Sequence, residues 1–249
     1  MIDPAFDRRL SPRRRWKHLL WFTARLVILP LLFVTLRLRV HGLKHVPRSG
    51  GAIVVSNHID FFDPVLIVAG APRPVLWMAK SEVFNYPVLR WFARQAGAFA
   101  VERGTPDRSA LRHAEALLAE GMLVGMFPEG TRSRTGGLIA PFSGASMVAV
   151  RSRAPIIPCA IVGSEALPLR GFAPHRPGRW PRIDILFGEP FTLAATRPDG
   201  TRWRLEELTD AMMIEVARLL PPAYRGVYAD RCAVPHPAVQ REAGSGVAA

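Results

Sequence analysis

Ala52-Ile-Val-Val-Ser-Asn-His-Ile-Asp-Phe-Phe-Asp-Pro64 decides how the rest of the chain is read. Residues 52–56 are a short apolar run of β-branched character, the mark of a strand buried in a sheet. Pro64 then opens a helix that continues to about Val68, with Asp63 in the position of an N-cap before a proline at N1. A buried strand that turns within a few residues into a helix is the repeating unit of an α/β layer fold.

Working outward, the same alternation recurs. Val75–Ala79 reads as a second strand, followed by a helix from about Pro87 to Ala96, and Ala98–Val101 as a third strand. A helix capped by Thr105 and Pro106 runs to Glu120, with Gly121 past its end and Leu111, Ala114, Leu117 and Leu118 on its core face. Met122–Phe127 and Pro155–Val162 are further strands, separated by a helix of small residues from about Phe142. Arg182–Phe187 alternates like a strand with one solvated face, and a last helix covers Arg204–Leu220. The fold expected is a single α/β domain over residues 42–233, a central mostly parallel or mixed sheet flanked by helices. Residues 234–249, rich in Pro, Gly, Ala and Ser, are expected to be a mobile tail.

Residues 1–41 have another character. Arg8, Arg9, Arg13, Arg14, Arg15 and Lys17 precede an apolar stretch from Leu19 to Leu36, interrupted by Arg25 and Pro30 and closed by Arg37 and Arg39. No small-residue cleavage site follows, so a signal peptide does not fit. A helix over this stretch would extend about 27 Å, short of a ~30 Å hydrocarbon core. Its internal arginine and proline oppose spanning, and cations on both flanks remove the charge asymmetry of a simple span. The segment is therefore expected to be a kinked interfacial helix, with Trp16, Trp21 and Phe22 at headgroup level; a buried core helix is the alternative. Attachment of this kind implies a peripheral or monotopic protein on the cytoplasmic face of the cell membrane.

The net charge is +13, and all but Lys17, Lys44 and Lys80 of the 33 basic residues are arginine. Arginine suits phosphate, so an anionic membrane, a phosphorylated substrate or nucleic acid are the partners that charge alone allows. Two cysteines, Cys159 and Cys232, exclude a disulfide framework and a cysteine-rich zinc site.

Three constellations carry chemistry. In the first, His58 and Asp63 lie about 140° apart on an ideal helix, so they meet only if residues 57–62 fold back onto the helix start. A carboxylate there can take the imidazole Nδ1–H and leave Nε2 as a base. Taken singly, a capping Asp and an idle loop His explain the same residues. A metal site of His58, Asp60 and Asp63 lacks a second histidine nearby. The second is Met126-Phe-Pro-Glu-Gly-Thr-Arg-Ser-Arg-Thr-Gly-Gly137, where glycines and the side chains of Thr131, Arg132, Ser133 and Arg134 offer donors to an anion. Glu129 needs partners there: either it holds the loop or it accepts from a substrate hydroxyl. The third is Gly97-Ala-Phe-Ala-Val-Glu-Arg103, which puts Arg103 at a strand end.

Asn57-His58 with Asp63, Gly97 through Arg103, Phe127-Pro-Glu-Gly-Thr-Arg132 and Pro155-Ile-Ile-Pro158 together resemble the four ordered motifs of the glycerolipid acyltransferase family, in particular its 1-acyl-sn-glycerol-3-phosphate acyltransferases. The similarity spans roughly residues 42 to 190, and its most specific part is Phe-Pro-Glu-Gly-Thr-Arg following the His-Asp pair. The resemblance implies a catalytic dyad of His58 and Asp63 with no covalent intermediate. It also implies an acceptor site drawing on Asn57, Arg103, Glu129, Gly130, Thr131 and Arg132, with Lys80 as a further phosphate contact. It implies acyl transfer from acyl-coenzyme A or acyl-carrier protein, as co-substrates rather than cofactors, to the sn-2 hydroxyl of 1-acyl-glycerol 3-phosphate, with no metal. Asp60-Phe61-Phe62 departs from the small or polar residues common beside the dyad and leaves the acceptor open to glycerol 3-phosphate, another lysophospholipid or a glycolipid. The reading of another class, a non-catalytic basic protein binding membrane or nucleic acid, gives no reason for His58, Asp63 and Glu129.

Overall fold

The computed structural model describes residues 30, 35–80, 85, 99–101, 108–167 and 181–241, with the backbone alone at 79, 80 and 99–101. Nine strands and four α-helices are described. They are β1 (Arg39–His41), β2 (Ala52–Ser56), α1 (Asp63–Gly70), β3 (Val75–Lys80), β4 (Phe99–Val101), α2 (Arg108–Ala119), β5 (Leu123–Met126), α3 (Gly144–Ser152), β6 (Ile156–Val162), β7 (Asp184–Phe187), β8 (Thr192–Leu193), α4 (Leu205–Leu219) and β9 (Val239–Gln240).

Seven strands form one sheet in the order β1-β7-β6-β2-β5-β3-β4. Neighbours are parallel except β6 and β7, so the sheet is mixed through a reversed β1–β7 edge. The central strand β2 is buried at every position, as its uninterrupted apolar sequence requires. Ile53 and Val55 on one face pack with Val124, Met126, Ala114, Leu117 and Val148, beneath helices α2, α3 and α4. Ala52 and Val54 on the other face pack with Trp77, Ile157 and Ile161 and with Leu66 and Ile67 of α1. Cys159 is fully buried in this second layer, and burial pushes its thiol up to about 12.

Helix α2 ends where the sequence predicts. Gly121 adopts φ +82° and sends its N–H to the Leu118 carbonyl. The described start of α2 is Arg108; the Thr105-Pro106 cap, the helix expected over 87–96 and the interfacial segment of residues 19–34, save Pro30, lie outside the described residues. Among the described residues no helix is long and apolar enough to cross a membrane.

Three expectations change. Residues 39–41, grouped with the basic arm because of their charge, are the edge strand of the sheet, and Leu38 just before them is buried. The tail expected to be mobile from Val234 is packed as far as Arg241: β9 pairs antiparallel with β8, and Ala238 is fully buried. Asp63 is the first residue of α1 rather than its cap, which is Phe62, and no side chain caps that helix.

Candidate active site

Parallel strands β2, β5 and β6 deliver their following loops to one end of the sheet, the end at which α/β folds place functional groups. The loop after β2 holds Asn57 and His58, and the loop after β5 holds Phe127 through Arg132.

Residues 57–62 do fold back. His58 Nδ1 lies 3.0 Å from Asp63 Oδ2, and the same oxygen accepts the backbone N–H groups of Ile59 at 2.6 Å and Asp60 at 2.7 Å. Asp63 is fully buried, so its carboxylate is held by these three donors and by its place in the first turn of α1. With Nδ1 engaged, the imidazole leaves Nε2 free to exchange a proton.

The loop after β5 clasps His58 from the other side. Glu129 Oε1 accepts the His58 N–H at 3.0 Å, and the Ser133 N–H donates to the His58 carbonyl at 2.8 Å. Glu129 Oε2 accepts from the Ile139 N–H at 3.1 Å, so both oxygens hold loop backbone. Burial raises the Glu129 carboxyl to about 7, against the opposing pull of those two N–H groups.

The other residues singled out in sequence are placed unevenly. Asn57 is buried, and its carboxamide donates to the Ile161 carbonyl and accepts the Ile161 N–H, both at 2.9 Å. Both polar ends of its carboxamide therefore tie the loop to β6. Gly130 turns the loop with φ +64° and donates its N–H to Phe127, so that N–H is not offered to an anion. A Cβ at Gly130 would approach the Phe142 ring to 2.8 Å. Thr131 is exposed and Arg132 half-buried, and Arg132 lowers the Asp60 carboxyl that burial chiefly raises. Lys80 ends β3 with its side chain outside the described structure, and Arg103 lies outside the described residues.

Two aromatic residues gain a place that sequence reasoning did not give them. Phe127 stacks on the His58 ring with centroids 4.1 Å apart and planes 15° apart. Trp77 stacks on the far side of Phe127 at 4.3 Å and 15°. A glycine inside strand β5, Gly125, was the available signal, because it marks close approach by a neighbour. A Cβ there would meet the Trp77 ring at 2.5 Å.

A family described as "Acyltransferase" matches residues 37–162. The chain is 28% identical over 182 residues to the 1-acyl-sn-glycerol-3-phosphate acyltransferase of Bacillus subtilis, covering 73% of this chain and 87% of that one. A relative of the same name from Streptococcus pneumoniae is 28% identical, over 68% of this chain and 61% of its own length. An uncharacterized Mycobacterium tuberculosis protein is 33% identical over 67% of this chain, which spans 45% of its length. The crystal structure of the 1-acyl-sn-glycerophosphate acyltransferase PlsC from Thermotoga maritima matches with a TM-score of 0.54 at 23% identity, covering 85% of this chain and 83% of that one. At that identity the likeness is one of fold.

Proposed function

This chain belongs to the acyltransferase family, and we propose that it transfers a fatty acyl group from an acyl thioester to the sn-2 hydroxyl of 1-acyl-glycerol 3-phosphate, giving phosphatidic acid. The observation that carries the reading is the 3.0 Å contact between His58 Nδ1 and a fully buried Asp63 carboxylate. In this scheme Nε2 of His58 takes the hydroxyl proton as the oxygen attacks the thioester carbonyl. The tetrahedral intermediate then expels the thiol, which leaves with the proton held on His58. Base catalysis of this type supplies about 10²–10⁴-fold. Cys159, fully buried with a raised thiol pKa, is a poor nucleophile, which supports direct transfer without an acyl-enzyme.

The acceptor phosphate is proposed to meet Arg132 and Arg103, with Thr131 and Lys80 at its margin. The names of the Bacillus and Streptococcus relatives support this acceptor. The donor is acyl-coenzyme A or acyl-carrier protein. Attachment to the cytoplasmic face of an anionic membrane is proposed to bring lipid acceptor to the site, helped by the +13 charge.

The test is turnover of the purified chain with an acyl thioester and a panel of acceptors: 1-acyl-glycerol 3-phosphate, glycerol 3-phosphate, neutral monoacylglycerol and other lysophospholipids. Phosphatidic acid should be the main product, and His58→Ala should abolish it without loss of fold. Preference for any other acceptor would sink the substrate assignment, and an active, folded His58→Ala protein would sink the base.

A further inference from the structure

We propose that Phe127 and Trp77 form an aromatic column that sets the plane of the His58 imidazole, making both positioning residues for acyl transfer; this rests on the reading of His58 as the base. A single hydrogen bond to Asp63 fixes one edge of the ring but permits rocking about the Nδ1···Oδ2 line. Contact over the ring face removes that freedom. The Phe127 ring supplies it at 4.1 Å, nearly parallel to the imidazole. Phe127 by itself is a weak brace, since it is the first residue after β5 and half-buried. Trp77, buried within β3, backs it at 4.3 Å and keeps it from turning away.

The backbone has been shaped to admit this arrangement. Trp77 and Gly125 are register partners on the paired strands β3 and β5. The indole lies over Gly125, where any Cβ would sit 2.5–2.7 Å from three ring carbons. The sheet thus transmits its rigidity through Trp77 and Phe127 to a loop side chain that backbone geometry would leave looser. The column also has an electrostatic consequence. When His58 accepts the hydroxyl proton it becomes a cation lying against the electron-rich face of Phe127, with the Asp63 carboxylate at its edge. Both contacts favour the charged ring that exists during transfer and not before it, which is where stabilisation raises kcat rather than substrate affinity.

The experiment is kinetics and histidine NMR on the full chain in micelles, with the His58 signal assigned by its loss in His58→Ala. Stacking should move the His58 Cε1 proton upfield of the other histidines, and Phe127→Leu should return it. Loss of the ring face should lower kcat about tenfold while KM for either substrate stays within about twofold. Phe127→Tyr and Trp77→Phe keep the stack and should retain kcat; Trp77→Leu should behave like Phe127→Leu. A wild-type Cε1 proton without the upfield displacement overturns the column whatever the variants do. An inactive His58→Ala beside a Phe127→Leu protein with normal kcat overturns the column and spares the base. Activity in His58→Ala removes the base itself.

Discussion

One oxygen of Asp63 carries three hydrogen bonds, from His58 Nδ1 and from the backbone N–H groups of Ile59 and Asp60. Its two tasks, shaping the loop and balancing the imidazole, can be separated. Asparagine preserves an oxygen for the two amides but offers no charge to an imidazolium. Asp63→Asn should therefore lower kcat by about 10²–10⁴-fold with little change in stability. Asp63→Ala should also leave two buried N–H groups without partners, at about 1–3 kcal/mol each. Steady-state kinetics and urea unfolding on both variants check this; equal stability of the two would show that the carboxylate does not hold the loop. Glu129 gives the second prediction at this scale. Its carboxyl, ordinarily at 4.5, is raised to about 7 mainly by burial. Between those values the folded chain keeps a proton that the unfolded chain has released. Stability must then fall as pH rises across that window, by at most about 3 kcal/mol from this group. Above it the full cost persists, and below it the cost vanishes. Glu129→Gln should unfold with a flatter pH dependence from about pH 4.5 to 7. If urea midpoints of the two proteins change in parallel over that range, Glu129 is not the source.

Among the elements, β9 and α4 are joined by an ion pair that local sequence does not announce. Glu215 of α4 has a side chain only 4% exposed, and Arg241, immediately after β9, donates to its Oε2. Arg241→Ala should destabilise the chain by about 1–3 kcal/mol, less than for a fully buried pair because Arg241 is partly solvated. Adding Glu215→Gln should recover part of the loss by neutralising a buried carboxylate that keeps only the Arg218 guanidinium, 3.9 Å away, among the described residues; denaturant midpoints of the single and double variants measure it. A double variant no better than the single one would mean that packing, not charge, joins the two elements. This contact also shows where sequence stopped being informative. The uninterrupted apolar runs at 52–56 and 156–162 and the alternation near 184–187 announce strands by themselves. The three residues Arg39-Val40-His41 have no such pattern; they are a strand because β7 provides an edge for them. The Val239–Gln240 strand is hidden in a Pro- and Ala-rich tail for the same reason. In the site, the order of the motifs was legible, and so was the need for a fold-back between His58 and Asp63. The column of Trp77 and Phe127 was not, because only the pairing of β3 with β5 brings the two together.

At the scale of the molecule, the proposed membrane attachment and the fold meet at residues 35–41. Leu38 is buried in the core, and the Arg39 N–H donates to the Ile183 carbonyl at 2.8 Å as β1 joins β7. A shortened chain must therefore end its deletion before residue 38 to keep the sheet intact. Removal of residues 1–34 takes away the arginine cluster and all but the last two residues of the apolar stretch, yet spares both contacts. That chain should stay folded and turn over a water-soluble short-chain acceptor. It should lose most of its co-sedimentation with vesicles containing anionic lipid. Removal of residues 1–41 also strips β1 and leaves β7 as an open edge, so it should lower the unfolding midpoint and favour aggregation. The full chain should release from anionic vesicles as salt rises, to the extent that its charge rather than its apolar stretch holds it. Comparing the two deletions separates an anchor from a structural strand, which a single cut at the end of the basic arm would confuse. If the chain lacking residues 1–34 still sediments with anionic vesicles at physiological salt, the basic surface of the α/β domain itself is the attachment.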